Sequence, residues 1–122
     1  MRAIIIKEFG GPEQLVMQEL PDPKPKAGHV IIEVKAFGIN RAETYMRKGA
    51  WSEAAKVSGV ECVGLVRSDA SGKFAAGQQV AAILGGMGLT INGSYAELTQ
   101  VPVTNVMPFE SDLPWEELSV YT

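Results

Sequence analysis

The stretch Val30–Gly49, VIIEVKAFGINRAETYMRKG, changes its pattern halfway along, and that change decides what kind of domain the chain can form. Val30–Phe37 is an apolar, β-branched run of strand character. From Asn40 onward the pattern is helical. Asn40 can cap the helix and Gly49 can end it. Glu43 and Arg47 stand four apart in the order that favours a helical ion pair. Asn40, Glu43 and Tyr45 therefore gather where the longest strand hands over to a helix, a place where functional groups concentrate. Taken alone, the three also read as cap, ion pair and amphipathic packing.

Outward from this point, short apolar runs recur between turns. Arg2–Lys7, Leu15–Leu20, Val60–Val66, Val80–Leu84 and Tyr95–Val101 read as further strands. FGGPE, PDPKPKAGH, DASGKFAAG and GGMGLTING supply the connections, and the Pro-rich one should run extended over the surface. Short strands so connected predict a compact, irregular β-barrel with one or two short helices, mainly β in class. The closing segment SDLPWEELSVYT opens like a second helix, with Asp112 as cap, Pro114 in the first turn and Glu116 and Glu117 at the positive dipole end. Its run to Thr122 is about two turns, marginal without packing partners. This reads as a lobe of a longer protein.

Glu61 poses the sharpest question. In Ser58–Val66, SGVECVGLV, it stands among residues of a buried strand. A carboxylate in apolar surroundings loses hydration unless a partner or a proton compensates. Either it faces a polar cleft, or it is a buried structural group with a paired donor.

Composition removes several function classes. The 122 residues carry a formal net charge of -3, with no basic run beyond the KPK of Lys24–Lys26, which argues against a nucleic-acid partner. No apolar run approaches membrane-spanning length, and the start MRAIIIKEFGG is not patterned as a signal peptide. One cysteine, Cys62, excludes an internal disulfide and fits a reducing compartment, so a cytoplasmic location is expected. With one Cys and one His, His29, on different strands, the chain lacks the donors of a zinc site. Cys62 reads as a small core residue and His29 as a solvated turn residue. Gly85–Gly88, GGMG, precedes no helix start and fits neither nucleotide-binding fingerprint, so it reads as a β-connection.

Four segments in order, KAFGINRAETYMRKG, GVECVGLV, AAGQQV and NGSYAEL, resemble the GroES-like N-terminal catalytic lobe of the medium-chain dehydrogenase/reductase superfamily. The resemblance runs from Met1 to Thr122 and is closest to the zinc-independent quinone oxidoreductase branch. That branch's helix motif is matched at Gly38, Ile39, Asn40, Glu43, Tyr45, Arg47 and Gly49. The zinc-dependent branch has a Cys ligand where this chain has Asn40, and Gly-His-Glu where it has Gly59, Val60 and Glu61. Its usual four-cysteine lobe is replaced by LGGMGLTINGS. The chain departs from its own branch in two turns, reading Gly77-Gln78-Gln79-Val80 and Ser58-Gly59 where Gly-Asp-x-Val and Pro-Gly are usual.

The resemblance implies the isolated lobe, residues 1–122, of a two-domain NAD(P)H-dependent reductase, with a Rossmann cofactor domain downstream. It implies hydride transfer in the cleft between the halves, with NADPH or NADH as cofactor and no zinc. Asn40 and Tyr45 would line the nicotinamide and substrate side as catalytic residues, and Glu61 would be a structural residue of the cleft. Quinones or enones suit a zinc-free site, because hydrogen-bond donors can stabilise charge spread over a conjugated acceptor. The full-length protein would be a homodimer without nucleic-acid or membrane partners, and the lobe alone would be inactive. The competing readings are a relative acting on alcohols or enoyl-thioesters, and a stand-alone GroES-like module that forms rings as a co-chaperonin does.

Overall fold

The structure, a computed structural model, describes residues 1–49 and 55–119. β1 (Arg2–Ile6) and β2 (Leu15–Glu19) form an antiparallel hairpin, joined through a short 3-10 turn at Pro12–Gln14. A five-stranded antiparallel sheet follows. It contains β3 (His29–Ala36), β4 (Glu61–Asp69), β5 (Gln79–Ile83), β6 (Leu98–Pro102) and β7 (Val106–Pro108), in the order β6-β3-β4-β5-β7. Single bridges, Ala3 to Ala96 and Ile5 to Val57, lay the hairpin against this sheet. The two sheets do not close into a continuous barrel, and each side has its own buried cluster, an irregular form of the predicted mainly β fold.

Burial explains the arrangement. Val30, Ile32, Val66, Val80 and Val101 pack with Cys62 and Met87 in the main core, all nearly inaccessible. A smaller cluster of Ala3, Ile5, Val57 and Tyr95 seals the hairpin side. β3 and β4 slip register at Ile31/Ile32 and again at Val34/Ala36. Such bulges bend the strands and steepen their twist, which curls an antiparallel sheet.

Several boundaries differ from the sequence reading. β4 continues past Val66 to Asp69, because Ser68 and Asp69 still pair with Ile31 and Val30. β6 begins at Leu98 rather than Tyr95, since Ala96 bridges to Ala3 and the chain only then joins β3. β7 was not legible as a strand; it is a three-residue edge pairing with β5.

α1 (Arg41–Lys48) has Asn40 at its cap position and Gly49 past its end, as the sequence predicts. Gly49 adopts φ 84°, a left-handed conformation that costs glycine little. α2 is a single turn, Trp115–Leu118, and its cap position is Pro114, not Asp112. Residues 120–122, to which the predicted helix extends, lie outside the described residues. No helix among the described residues is long and apolar enough to cross a membrane.

Candidate functional site

β3 ends at Ala36, and the chain turns through Phe37, Gly38 and Ile39 into the cap of α1. Antiparallel pairing brings the start of β4 and the end of β5 to the same end of the sheet, with Glu61 opposite Ile83. The Glu61 carboxyl lies against Gly38, where a Cβ would displace its Oε1. Gly38, two residues before Asn40, and Glu61 are thereby brought together. Ser94 fixes the strand there by donating its hydroxyl hydrogen to the Glu61 carbonyl, 2.7 Å away. Among the described residues no hydrogen bond or ion pair reaches the Glu61 carboxyl. A paired donor for Glu61 is therefore not found among the described residues.

The α1 cap is held from an unexpected direction. Glu43 is 5% exposed, and its Oε2 accepts the Asn40 backbone N–H at 2.9 Å. The same oxygen accepts the hydroxyl of Tyr95, a contact between residues far apart in sequence. Burial pushes the Tyr95 hydroxyl above its usual range, and the Glu43 carboxyl beside it adds to the shift, so the phenol stays a donor at neutral pH. Arg47 does not form the predicted ion pair with Glu43. Its Nε donates to the Gly10 carbonyl at 3.2 Å, while the Gly10 N–H donates to the Arg47 carbonyl at 2.9 Å. α1 is therefore tied to the loop after β1 by its last turn and to Tyr95 by its first.

Among the described residues three buried polar atoms near this corner have no partner: Nδ2 of Asn40, Oε1 of Glu43 and Oγ of Ser58. Glu43, Ser58 and Tyr95 also line a cleft of about 260 Å³, closed on its other sides by Ile4, Leu15 and Phe37. Phe37 and Tyr95 stack with ring centroids 4.6 Å apart. Tyr45 is placed differently. It is 44% exposed on α1, and no hydrogen bond among the described residues joins it to Asn40 or Glu61.

Cys62 falls in the core as the sequence predicts, whereas His29, read as a solvated turn residue, is half-buried in β3. Burial, with a smaller contribution from Glu61, pushes the Cys62 thiol up to about 12, which keeps it protonated and inert in the core. His29 opens β3 and bonds through Nδ1 to the Ala27 carbonyl at 2.8 Å. Among the described residues no three of His, Cys, Asp and Glu gather in a way that could hold a metal ion. Gly85–Gly88 forms turns, closed by the Gly88 N–H on the Ile91 carbonyl, and no helix follows.

Sequence reasoning missed Tyr95, although it carried a signal, because a phenol hydroxyl taken into the interior needs a partner.

Comparison with known proteins places this geometry. The alcohol dehydrogenase GroES-like domain model matches residues 26–111, and the chain belongs to that family, within the medium-chain dehydrogenase/reductase superfamily. It is 33% identical to the quinone oxidoreductase of Mus musculus across 96% of its own length. The chain spans 36% of that relative's length, about a third. Among solved structures, human synaptic vesicle membrane protein VAT-1 homolog-like protein superposes with a TM-score of 0.83 at 30% identity, covering 98% of this chain and 38% of that one. A mycobacterial protein complexed with NADPH superposes at 0.80 with 28% identity, covering 94% of this chain and 35% of that one.

Proposed function

We propose that this chain, residues 1–122, is the substrate-side lobe of a zinc-independent NAD(P)H-dependent reductase of quinones or enones. Its dinucleotide is carried by a Rossmann domain outside this chain. The observation that carries the reading is Asn40. Its side-chain amide is a buried hydrogen-bond donor without an acceptor among the described residues, at the position where the zinc-dependent branch carries a ligand. The mouse relative's name supports the substrate class, and the NADPH bound to the mycobacterial neighbour supports the cofactor.

The residues present fit only one end of that cofactor. Asn40 offers a donor for a nicotinamide carboxamide or an acceptor oxygen, whereas the glycine-rich turn at Gly85–Gly88 leads to no helix and offers no phosphate cradle. When bound, a reduced nicotinamide supplies the hydride. The chain's own part is to stabilise charge on the acceptor oxygen with N–H and O–H donors, Asn40 first and Tyr45 from the exposed side of α1. Glu61 lies against the Gly38 turn as a structural residue of the cleft, and the Glu43–Tyr95 pair fixes the backbone of Asn40. We assign the full-length protein as a cytoplasmic homodimer with no nucleic-acid or membrane partner.

NAD(P)H oxidation by the full-length protein, dialysed against chelator, tests the reading with 1,2-naphthoquinone as acceptor. Turnover that survives dialysis is expected, while calorimetric titration of this chain alone with NADPH and NADH should show no tight binding. A requirement for one bound zinc per chain, or a micromolar dissociation constant on this lobe alone, would overturn it.

A further inference from the structure

The cleft between the β1–β2 hairpin and α1 holds polar atoms that folding leaves unused. Oε2 of Glu43 accepts both the Asn40 N–H and the Tyr95 hydroxyl, whereas Oε1 accepts from no donor among the described residues. Ser58 is 2% exposed, and its Oγ likewise has no partner among them. Both residues line the cleft. Stranding such atoms out of water destabilises a fold. Alanine at position 58 would spare the chain one of them, because Ser58 meets Tyr95 through its main chain, its carbonyl accepting the Tyr95 N–H at 3.0 Å. Polar atoms kept where the fold does not use them mark a place for a ligand.

Their chemistry says what that ligand carries. Oε1 of Glu43 calls for a donor, and the Ser58 hydroxyl can donate or accept. One ligand hydroxyl serves both, donating to Oε1 and accepting from Oγ. No further positive charge is called for, since Arg47 lines the same cleft as Glu43. The remaining wall is apolar, formed by Ile4, Leu15, Phe37 and Ile39, and the Phe37 and Tyr95 rings stack with centroids 4.6 Å apart. Aromatic faces of this kind favour another flat ring. At about 260 Å³ the cleft lies just under the roughly 300 Å³ at which pockets for drug-sized molecules begin, so a single ring is the fitting size. The geometry points to a binding site for a small neutral phenol, its hydroxyl between Glu43 and Ser58 and its ring against the apolar wall. Neither Asn40 nor Tyr45 is among the described residues that line the cleft, so the site is distinct from the proposed substrate side.

NMR titration of the full-length protein with phenol and with anisole tests this without any variant. Phenol should bind saturably with a millimolar Kd. Anisole, whose ether oxygen accepts but cannot donate, should bind at least about tenfold more weakly. Ser58→Ala should weaken phenol binding roughly tenfold by removing one of its two partners. Leu15→Phe, at a half-buried position of β2, should fill the cleft and abolish binding. Melting curves establish that each variant is folded. Equal affinity for phenol and anisole would overturn the inference, as would wild-type phenol binding in both folded variants. The absence of saturable phenol binding would also overturn it and leave the cleft to water alone.

Discussion

Ile32 and Asn40 lie on one short stretch of chain, yet their surroundings obey opposite rules. Around Ile32 the core is apolar, Val30, Val66 and Val101 among it, and the buried cross-strand partner Thr99 has an acceptor for its hydroxyl in the Asn92 carbonyl. Around Asn40 the chain gathers a buried carboxyl, two further orphaned polar atoms and a glycine pressed against Glu61. Burying polar groups without partners costs stability. The sheet centre therefore supplies the stability that this corner gives up, and the contrast marks the corner as the place where the chain meets something other than itself.

Substitutions should divide along the same line. The largest loss of stability is expected from Ile32→Ala, about 3 to 4 kcal/mol, because the site is closed on all sides and cannot collapse to fill the gap. Denaturant titration measures it, and turnover per folded molecule in the full-length protein should not change. A smaller loss, about 1 to 3 kcal/mol, is expected from Tyr95→Phe, which keeps the stacking on Phe37 but removes the hydroxyl from Glu43. Unchanged stability in that variant would show that α1 is anchored by its Arg47–Gly10 contacts alone.

Much of this contrast was legible in the sequence. Strands rich in Val and Ile between Gly and Pro turns announce a β-barrel, and Asn40 with Gly49 brackets α1 because caps and left-handed ends have strong residue preferences. Local rules failed where distant chain intervened. Helical spacing predicts Glu43 beside Arg47, but a buried Tyr95 hydroxyl offers Glu43 a partner out of water, and Arg47 finds the Gly10 carbonyl. β4 outruns its apolar run because ladder pairing with β3 continues through polar residues. Of the residues singled out from sequence, Glu61 lies against Gly38, two positions before Asn40, whereas Tyr45 is exposed on α1 without a bond to Asn40 or Glu61 among the described residues.

Asn40→Ala in the full-length protein is the most direct test, with melting temperature and steady-state NADPH oxidation measured side by side. If the amide is the donor to the acceptor oxygen, turnover of 1,2-naphthoquinone should fall by roughly ten- to a thousandfold. Stability should fall by only about 1 kcal/mol, the value of a lost helix cap. Tyr45→Phe, which conserves volume, should lower turnover with no comparable loss of stability. Wild-type turnover in both variants, with the cap's stability loss alone in Asn40→Ala, would contradict the account and return this corner to a purely structural role.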